Sequence, residues 1–302
     1  MSIEALIAAL PHHVTSDAPY GSRTTYRVGG HARYALHLDT YEELHLVRGL
    51  LTDIENISVL GNGSNTLVSD HGFDGLLISL GAQFEELSLR DADDEGRIDV
   101  RLGSALDLPV AARRLVEASV RGFEWAVGVP GTVGGAVVMN AGGHGSDMAA
   151  SVSSAEVWNL DSGEIETWDA ERLGFGYRHS NISPRHVVLS ALLSLREGDS
   201  DEGREELREI VRWRREHQPG GANAGSVFQN PDSVSAGAVI DACGLKGLRH
   251  GSAHVSEKHA NFIMVDVPGS AEDVVALMDE VRECVARERG VELHSEIRLV
   301  GF

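Results

Sequence analysis

Cysteine is nearly absent from this 302-residue chain: Cys243 and Cys284 are the only two. Two thiols cannot build a disulfide framework, so a packed core must hold the fold, and a reducing cytoplasm is the expected compartment. Basic residues are also scarce, with 26 lysines and arginines against 46 aspartates and glutamates and a net charge of −20. Such a surface repels nucleic-acid backbones and anionic membranes, although a local arginine cluster can still hold a small anion. No apolar run approaches the ~20 residues of a membrane helix. Glu4 interrupts the only N-terminal stretch that could begin a signal peptide. Several catalytic signatures are missing too: no G-x-x-x-x-G-K-[ST] phosphate loop and no H-E-x-x-H zinc motif. There is no nucleophile elbow at Ser226, because Phe228 stands where its last glycine would be.

Glycine is what the chain has in abundance. Seven of its 34 glycines lie between Gly128 and Gly145, around a short apolar run. Glycine lets backbone approach a ligand closely, so this stretch is either a cradle for a large cofactor or a set of tight turns. Gly61-Asn62-Gly63-Ser64-Asn65 follows the apolar pair Val59-Leu60 and is either an anion-binding nest or a plain turn. It is not a Rossmann fingerprint, since the third glycine would fall at Thr66. Two such elements could clamp a dinucleotide.

Periodicity and capping predict an α+β chain of about two or three domains, at roughly 100–200 residues each. Thr40 and Glu43 form a capping box for a helix over 40–52, with strands at 33–38, 58–60 and 76–80. A helix over 105–120 turns Ala111, Ala112, Leu115 and Val116 inward. Strands at 153–160 and 164–168 flank an Asp161-Ser162-Gly163 turn. The acidic stretch from Glu197 opens a helix to about His217, placing a boundary near residue 200. Ser270 and Asp273 cap a helix whose Val274, Leu277, Met278, Val281 and Val285 share a face, with Cys284 beside it as an inert thiol. A final strand is expected over 291–300, with His294 and Glu296 on one face.

Among candidate chemical groups, Arg178 in Gly176-Tyr177-Arg178-His179-Ser180 is a carboxylate clamp or a surface arginine. Ser226 is a strand serine unless context gives it a role, and Glu296 is an acid or a partner for a base. His250, His254 and His259, with Glu257, invite a metal reading. The Gly251-Ser252 break and the lack of cysteine ligands oppose it, so no metal is expected.

Together these segments resemble the UDP-N-acetylenolpyruvoylglucosamine reductase family. The resemblance runs through TYRVGG at 25–30, GNGSN at 61–65, GVPGTVGGAVVMNAG at 128–142, GYRHSN at 176–181, AGSVFQNP at 224–231, GLKG at 244–247, VSEKHANF at 255–262 and SEIRLVG at 295–301. It implies a two-lobed FAD-binding domain of the vanillyl-alcohol-oxidase type over 1–200, with lobes of about 1–80 and 81–200. A smaller α+β substrate-binding domain would follow over 201–302. It implies non-covalent FAD held by Gly61, Asn62, Gly63, Ser64, Asn65, Gly128, Pro130, Gly131, Thr132, Gly135, Asn140 and Gly142. Arg178, Ser226 and Glu296 fall on the catalytic positions, and Tyr177, Arg215, Gln229, Asn230, Lys258 and Asn261 on substrate-binding ones. The implied activity is NADPH-dependent reduction of UDP-N-acetylglucosamine enolpyruvate in peptidoglycan precursor synthesis, by a cytoplasmic monomer or weak dimer without nucleic-acid or membrane partners. The alternatives are an FAD-dependent sugar or alcohol oxidase and a non-catalytic sugar-nucleotide module.

Three departures stand out. His217 replaces a lysine common before Gln-Pro, with Arg214 or Arg215 as substitutes. Gly143-His144 replaces Ala-Tyr. No tyrosine lies between Tyr177 and Ser226, which implies the lidless branch of the family.

Overall fold

The computed structural model describes residues 3–90, 92–231 and 234–302. The chain forms two compact units. The first takes in Met1–Ser16, Tyr34–Gly61 and Gly75–Trp213; the second takes in Asp17–Arg33, Asn62–Asp74 and Arg214–Phe302. Both are discontinuous in sequence, whereas a boundary near residue 200 would divide the chain once.

The first unit is built on an antiparallel sheet. Its strand order is Ile165–Asp169, Val152–Asn159, His186–Glu197, Arg97–Gly103 and Leu87–Leu89, with Val120–Arg121 also pairing His186–Glu197. The expected hairpin is present: Gly163, at φ +74°, donates to the Asn159 carbonyl at 2.8 Å to close the turn. Helix Leu108–Glu117 buries Leu108, Ala111, Ala112, Leu115 and Val116. Its apolar residues recur every three to four positions, so one face meets the core.

Smaller strands lie beside the capping-box helix. Ile57–Val59 pairs in parallel with Leu76–Ile78 of the strand Phe73–Leu80. Thr40 Oγ1 accepts from the Glu43 N–H at 3.2 Å, and Glu43 Oε2 accepts from the Thr40 N–H at 3.1 Å. The helix stops at Val47, short of the expected residue 52. Leu51 remains fully buried, but it lies in a turn rather than a helix. Arg185, distant in sequence, donates to the carbonyls of Leu51, Thr52 and Ile54 and holds this stretch on a non-helical path.

The second unit packs helices Ala236–Ala242 and Ala271–Arg289 with an antiparallel sheet of Arg249–His250, Ala253–Val255 and Ile263–Val265. Ser270 caps the long helix, and Val274, Leu277, Met278, Val281 and Val285 are buried. Cys284 is half-buried beside this face, and burial raises its pKa, which keeps it a thiol. The terminal strand is far shorter than expected. Only Arg298–Val300 forms a ladder, in parallel with Thr66–Val68. Residues 291–297 follow the left-handed Gly290 and make isolated bonds to residues distant in sequence, so strand alternation does not govern His294 and Glu296.

Candidate active site

The sequence candidates lie on several separate segments, which identifiable local bonds build. In the first unit, Thr132 caps helix Val133–Met139 through its Oγ1. Residues 131–134 lie against 104–108: Leu108 donates to Gly131 O, Val133 to Leu106 O and Gly134 to Ser104 O, at 2.8–2.9 Å. The approach requires glycine, because a Cβ on Gly134 would sit 2.8 Å from Ser104 Cβ. These bonds engage the N–H groups of Val133 and Gly134, while those of Gly61, Gly131 and Thr132 have no acceptor among the described residues. Gly131 and Thr132 are nevertheless buried.

Gly63, Ser64 and Asn65 belong to the second unit. Gly63 is left-handed, φ +60°, and its carbonyl accepts from the Thr25 N–H at 3.2 Å. The consecutive N–H groups of Gly63, Ser64 and Asn65 have no acceptor among the described residues. A buried N–H without a partner costs about 1–3 kcal/mol, so such runs persist where an anion receives them. This donor set fits a pyrophosphate-bearing cofactor such as FAD. Of the implied cofactor contacts, Pro130 and Gly135 are exposed and Gly128 is buried. Asn62 is exposed beside the nest. Asn140 departs from the expectation: its amide bonds three protein partners.

Arg178 lies in the first unit, in a tight turn where Gly176 and His179 exchange backbone bonds at 3.0 and 3.1 Å. It is left-handed, φ +53°, and half-buried. Its Nη2 donates to Gly142 O at 3.2 Å, and its guanidinium lies 5.3 Å from the ring centroid of the exposed Tyr177. Gly142–Gly143 and Ser146–Asp147 form a small hairpin. At its tip His144, φ +51°, meets Trp213 edge-on with centroids 5.1 Å apart.

Ser226 and Glu296 belong to the second unit, on adjoining segments. The Glu296 N–H donates to Val227 O at 2.8 Å, and the Gln229 N–H donates to His294 O at 2.9 Å. Ser226 follows the left-handed Gly225 and is not in a strand. Asn65 locks the other side: its Nδ2 donates to Glu296 O at 2.9 Å, and its carbonyl accepts from the Arg298 N–H at 3.0 Å. The nest and the two candidate catalytic residues of this unit therefore share one hydrogen-bonded framework.

The implied substrate contacts divide by what their side chains already do. Asn261 is buried, and its amide bonds both the N–H and the carbonyl of Phe228, at 3.0 and 2.8 Å. It shapes the Ser226 segment instead of presenting itself to a ligand. Asn230 Oδ1 accepts from Ala236 N at 3.0 Å. Lys258 Nζ donates to Arg215 O at 2.6 Å. Among the described residues no carboxylate pairs with Arg214, Arg215, Lys258 or Arg298. Burial lowers the pKa of Arg214 and of Arg298. Arg298 has no family role in the sequence reading; the lowered pKa that it shares with Arg214 singles it out.

His250 and His254 lie near Glu280 and Asp266, at 3.7 and 3.9 Å, and His259 Nδ1 accepts from the Asn261 N–H. Among the described residues no three His, Cys, Asp or Glu side chains are grouped to hold a metal ion, and no helix is long and apolar enough to cross a membrane.

Similarity to known proteins agrees with this geometry. Residues 42–169 match the FAD binding domain, and residues 217–300 match the UDP-N-acetylenolpyruvoylglucosamine reductase C-terminal domain. A reductase of that name from Heliobacterium modesticaldum is 40% identical, over 94% of this chain and 89% of its own. Reductase 2 of Symbiobacterium thermophilum is 37% identical, over 96% and 93%. The crystal structure of the Thermus caldophilus enzyme superposes with a TM-score of 0.80 at 34% identity, covering 95% of this chain and 98% of that one. The chain is an FAD-dependent oxidoreductase and belongs to the UDP-N-acetylenolpyruvoylglucosamine reductase family.

Proposed function

We propose that the protein reduces UDP-N-acetylglucosamine enolpyruvate to UDP-N-acetylmuramate with NADPH as hydride donor, in peptidoglycan precursor synthesis. The observation that carries this reading is the second unit's framework, where Asn65 of the nest bonds the Glu296 carbonyl and Glu296 bonds the residue after Ser226. Bound FAD would supply hydride transfer from NADPH to the methylene carbon of the enolpyruvyl group. The protein's task is then to manage the charge and the proton on the substrate. Hydride addition leaves negative charge on the adjacent carbon and its carboxylate. Arg178, already tethered to a carbonyl, is the clamp for that carboxylate. Ser226 delivers a proton to the carbanionic carbon, a contribution typically of ~10²–10⁴-fold. Glu296 assists as a hydrogen-bond donor in its protonated form, since a bare carboxylate would repel the developing charge. Arg214, Arg215 and Lys258 are cations for the substrate diphosphate, and Tyr177, Gln229 and Asn230 are further substrate contacts.

Anaerobic stopped-flow tests the reading. NADPH should bleach the flavin, and the enolpyruvyl substrate should restore its absorbance in a separate second phase. Rapid reoxidation by air with no response to that substrate would instead identify an oxidase.

A further inference from the structure

We infer that Asn140 is a positioning residue for Arg178 and not a ligand of the cofactor, an inference that rests on the role proposed for Arg178. Asn140 ends helix Val133–Met139 in the left-handed conformation, φ 41° and ψ 55°, and is 3% exposed. Its side-chain nitrogen has two hydrogens, and both are engaged: Asp147 Oδ2 accepts at 3.2 Å and Gly176 O at 2.9 Å. Its side-chain oxygen accepts from the Ala149 N–H at 2.9 Å. No donor remains for a cofactor atom.

The partners share one consequence. Gly176 opens the turn that carries Arg178. Asp147 pairs with Gly142, whose carbonyl receives the Arg178 guanidinium. One amide thus fixes both the backbone root of Arg178 and the acceptor at its tip. Ser180 Oγ, donating to Val138 O at 2.8 Å, ties the same turn to the same helix. A left-handed arginine is held only where its surroundings over-determine it, and these bonds do so.

The test uses the full-length, flavin-loaded protein. Asn140→Ala should keep its FAD and its flavin reduction by NADPH within about threefold of wild type. Flavin reoxidation by the enolpyruvyl substrate should slow by about 10²-fold, the size of effect that misplacement of a reacting group by ~1 Å produces. The double variant Asn140→Ala/Arg178→Ala should react no slower than Arg178→Ala alone. Loss of FAD from Asn140→Ala alone, or effects that multiply in the double variant, would overturn the inference.

Asn140→Asp carries the test if the alanine variant does not fold. Its carboxylate keeps the Ala149 bond but faces Asp147 and the Gly176 carbonyl without a hydrogen to offer. Protonation restores one donor, so its reoxidation rate relative to wild type should rise as pH falls toward 5. A flat ratio would contradict the mechanism. An independent readout is the Arg178 side-chain Nε–H resonance, identified by its disappearance in Arg178→Lys. It should shift or broaden in the Asn140→Ala and Asn140→Asp proteins, and an unchanged signal would overturn the inference. If the wild-type flavin does not respond to the enolpyruvyl substrate, the proposed reaction fails, and this resonance still decides whether Asn140 positions Arg178.

Discussion

Replacing Gly63 by alanine tests whether the unpartnered N–H groups of the nest hold the cofactor. Gly63 sits at φ +60°, where an L-residue is disfavoured by about 1–2 kcal/mol. The new Cβ would also lie 2.7 Å from Thr24 Cα, against an ordinary contact of at least 3.4 Å, so the backbone must yield by 0.7 Å. Thr24 is buried and its Oγ1 is bonded to Gly21 O, which leaves the nest as the part that moves. A shift of that size misaligns the N–H groups of Ser64 and Asn65. Hydrogen bonds to a charged group contribute about 1.5–3 kcal/mol each, so two weakened bonds cost about 3 kcal/mol at the low end. With about 1.4 kcal/mol per tenfold, the Kd for FAD should rise by about 100-fold. Flavin fluorescence quenching on titration into apoprotein measures it, with Gly49→Ala as control, because Gly49 is exposed with nothing within 4 Å of an added Cβ. If folded Gly63→Ala protein binds FAD within about threefold of wild type, the nest does not carry the pyrophosphate.

Other outcomes follow from the same bonds. Ser226→Ala should leave flavin reduction by NADPH nearly normal and slow reoxidation by the enolpyruvyl substrate by ~10²–10⁴-fold; equal loss in both phases in stopped-flow would remove its proton-donor role. Asn261→Ala leaves the buried Phe228 N–H and carbonyl without their side-chain partners, at about 1–3 kcal/mol each. Denaturant titration should show that loss, and a wild-type midpoint would mean the segment around Ser226 is held by other bonds. Acid should also destabilise the fold in a defined window. For both Glu156 and Asp70 burial acts to raise the pKa, but bonds outweigh it and the net shift is downward, through Ser190 and Arg101 for Glu156 and through Ser270 and the N–H groups of Ala271 and Glu272 for Asp70. A lowered folded-state pKa contributes stability that is complete above the ordinary carboxylate pKa and is lost as pH falls through the folded value. The Tm should therefore hold from neutral pH to about 5 and drop below about 4, with a shallower drop in Glu156→Gln and Asp70→Asn.

The structure departs from sequence expectation where bonds span long separations. The Thr40–Glu43 box, the Asp161-Ser162-Gly163 turn and the buried face of helix Ala271–Arg289 are local signals, readable from spacings of three and four residues. The helix that ends at Val47 was legible only at its start. Nothing within residues 40–52 announces that Arg185 will take the carbonyls of Leu51, Thr52 and Ile54. The terminal segment fails in the same way. Its alternation of apolar and polar residues matches a strand, yet residues 291–297 make isolated bonds, two of them to the Ser226 segment. Hydropathy does not show that the alternation stops inside the fold, where Leu293 and Ile297 are buried and Ser295 is exposed.

The candidate site separates along a different line. A motif marks which residues must lie near a ligand, and proximity has more than one use. Asn65, Asn140 and Asn261 are three asparagines in three such motifs. In each, at least part of the amide bonds the protein's own backbone, to Glu296 O, to Gly176 O and Ala149 N, and to Phe228 N and O. Asparagine suits this work because one short side chain both donates and accepts, so it can substitute for a neighbouring peptide where no strand can run. The cations show the converse. Sequence placed Arg215 and Lys258 among the substrate contacts but did not distinguish Arg298 from the other arginines. Arg101, Arg121, Arg185 and Arg249 have carboxylate partners; Arg298 has none among the described residues and, unlike the other unpaired arginines apart from Arg214, has its pKa lowered by burial. In an acidic protein a cation that burial disfavours and no carboxylate meets is the more informative observation, and it exists only once the chain has folded.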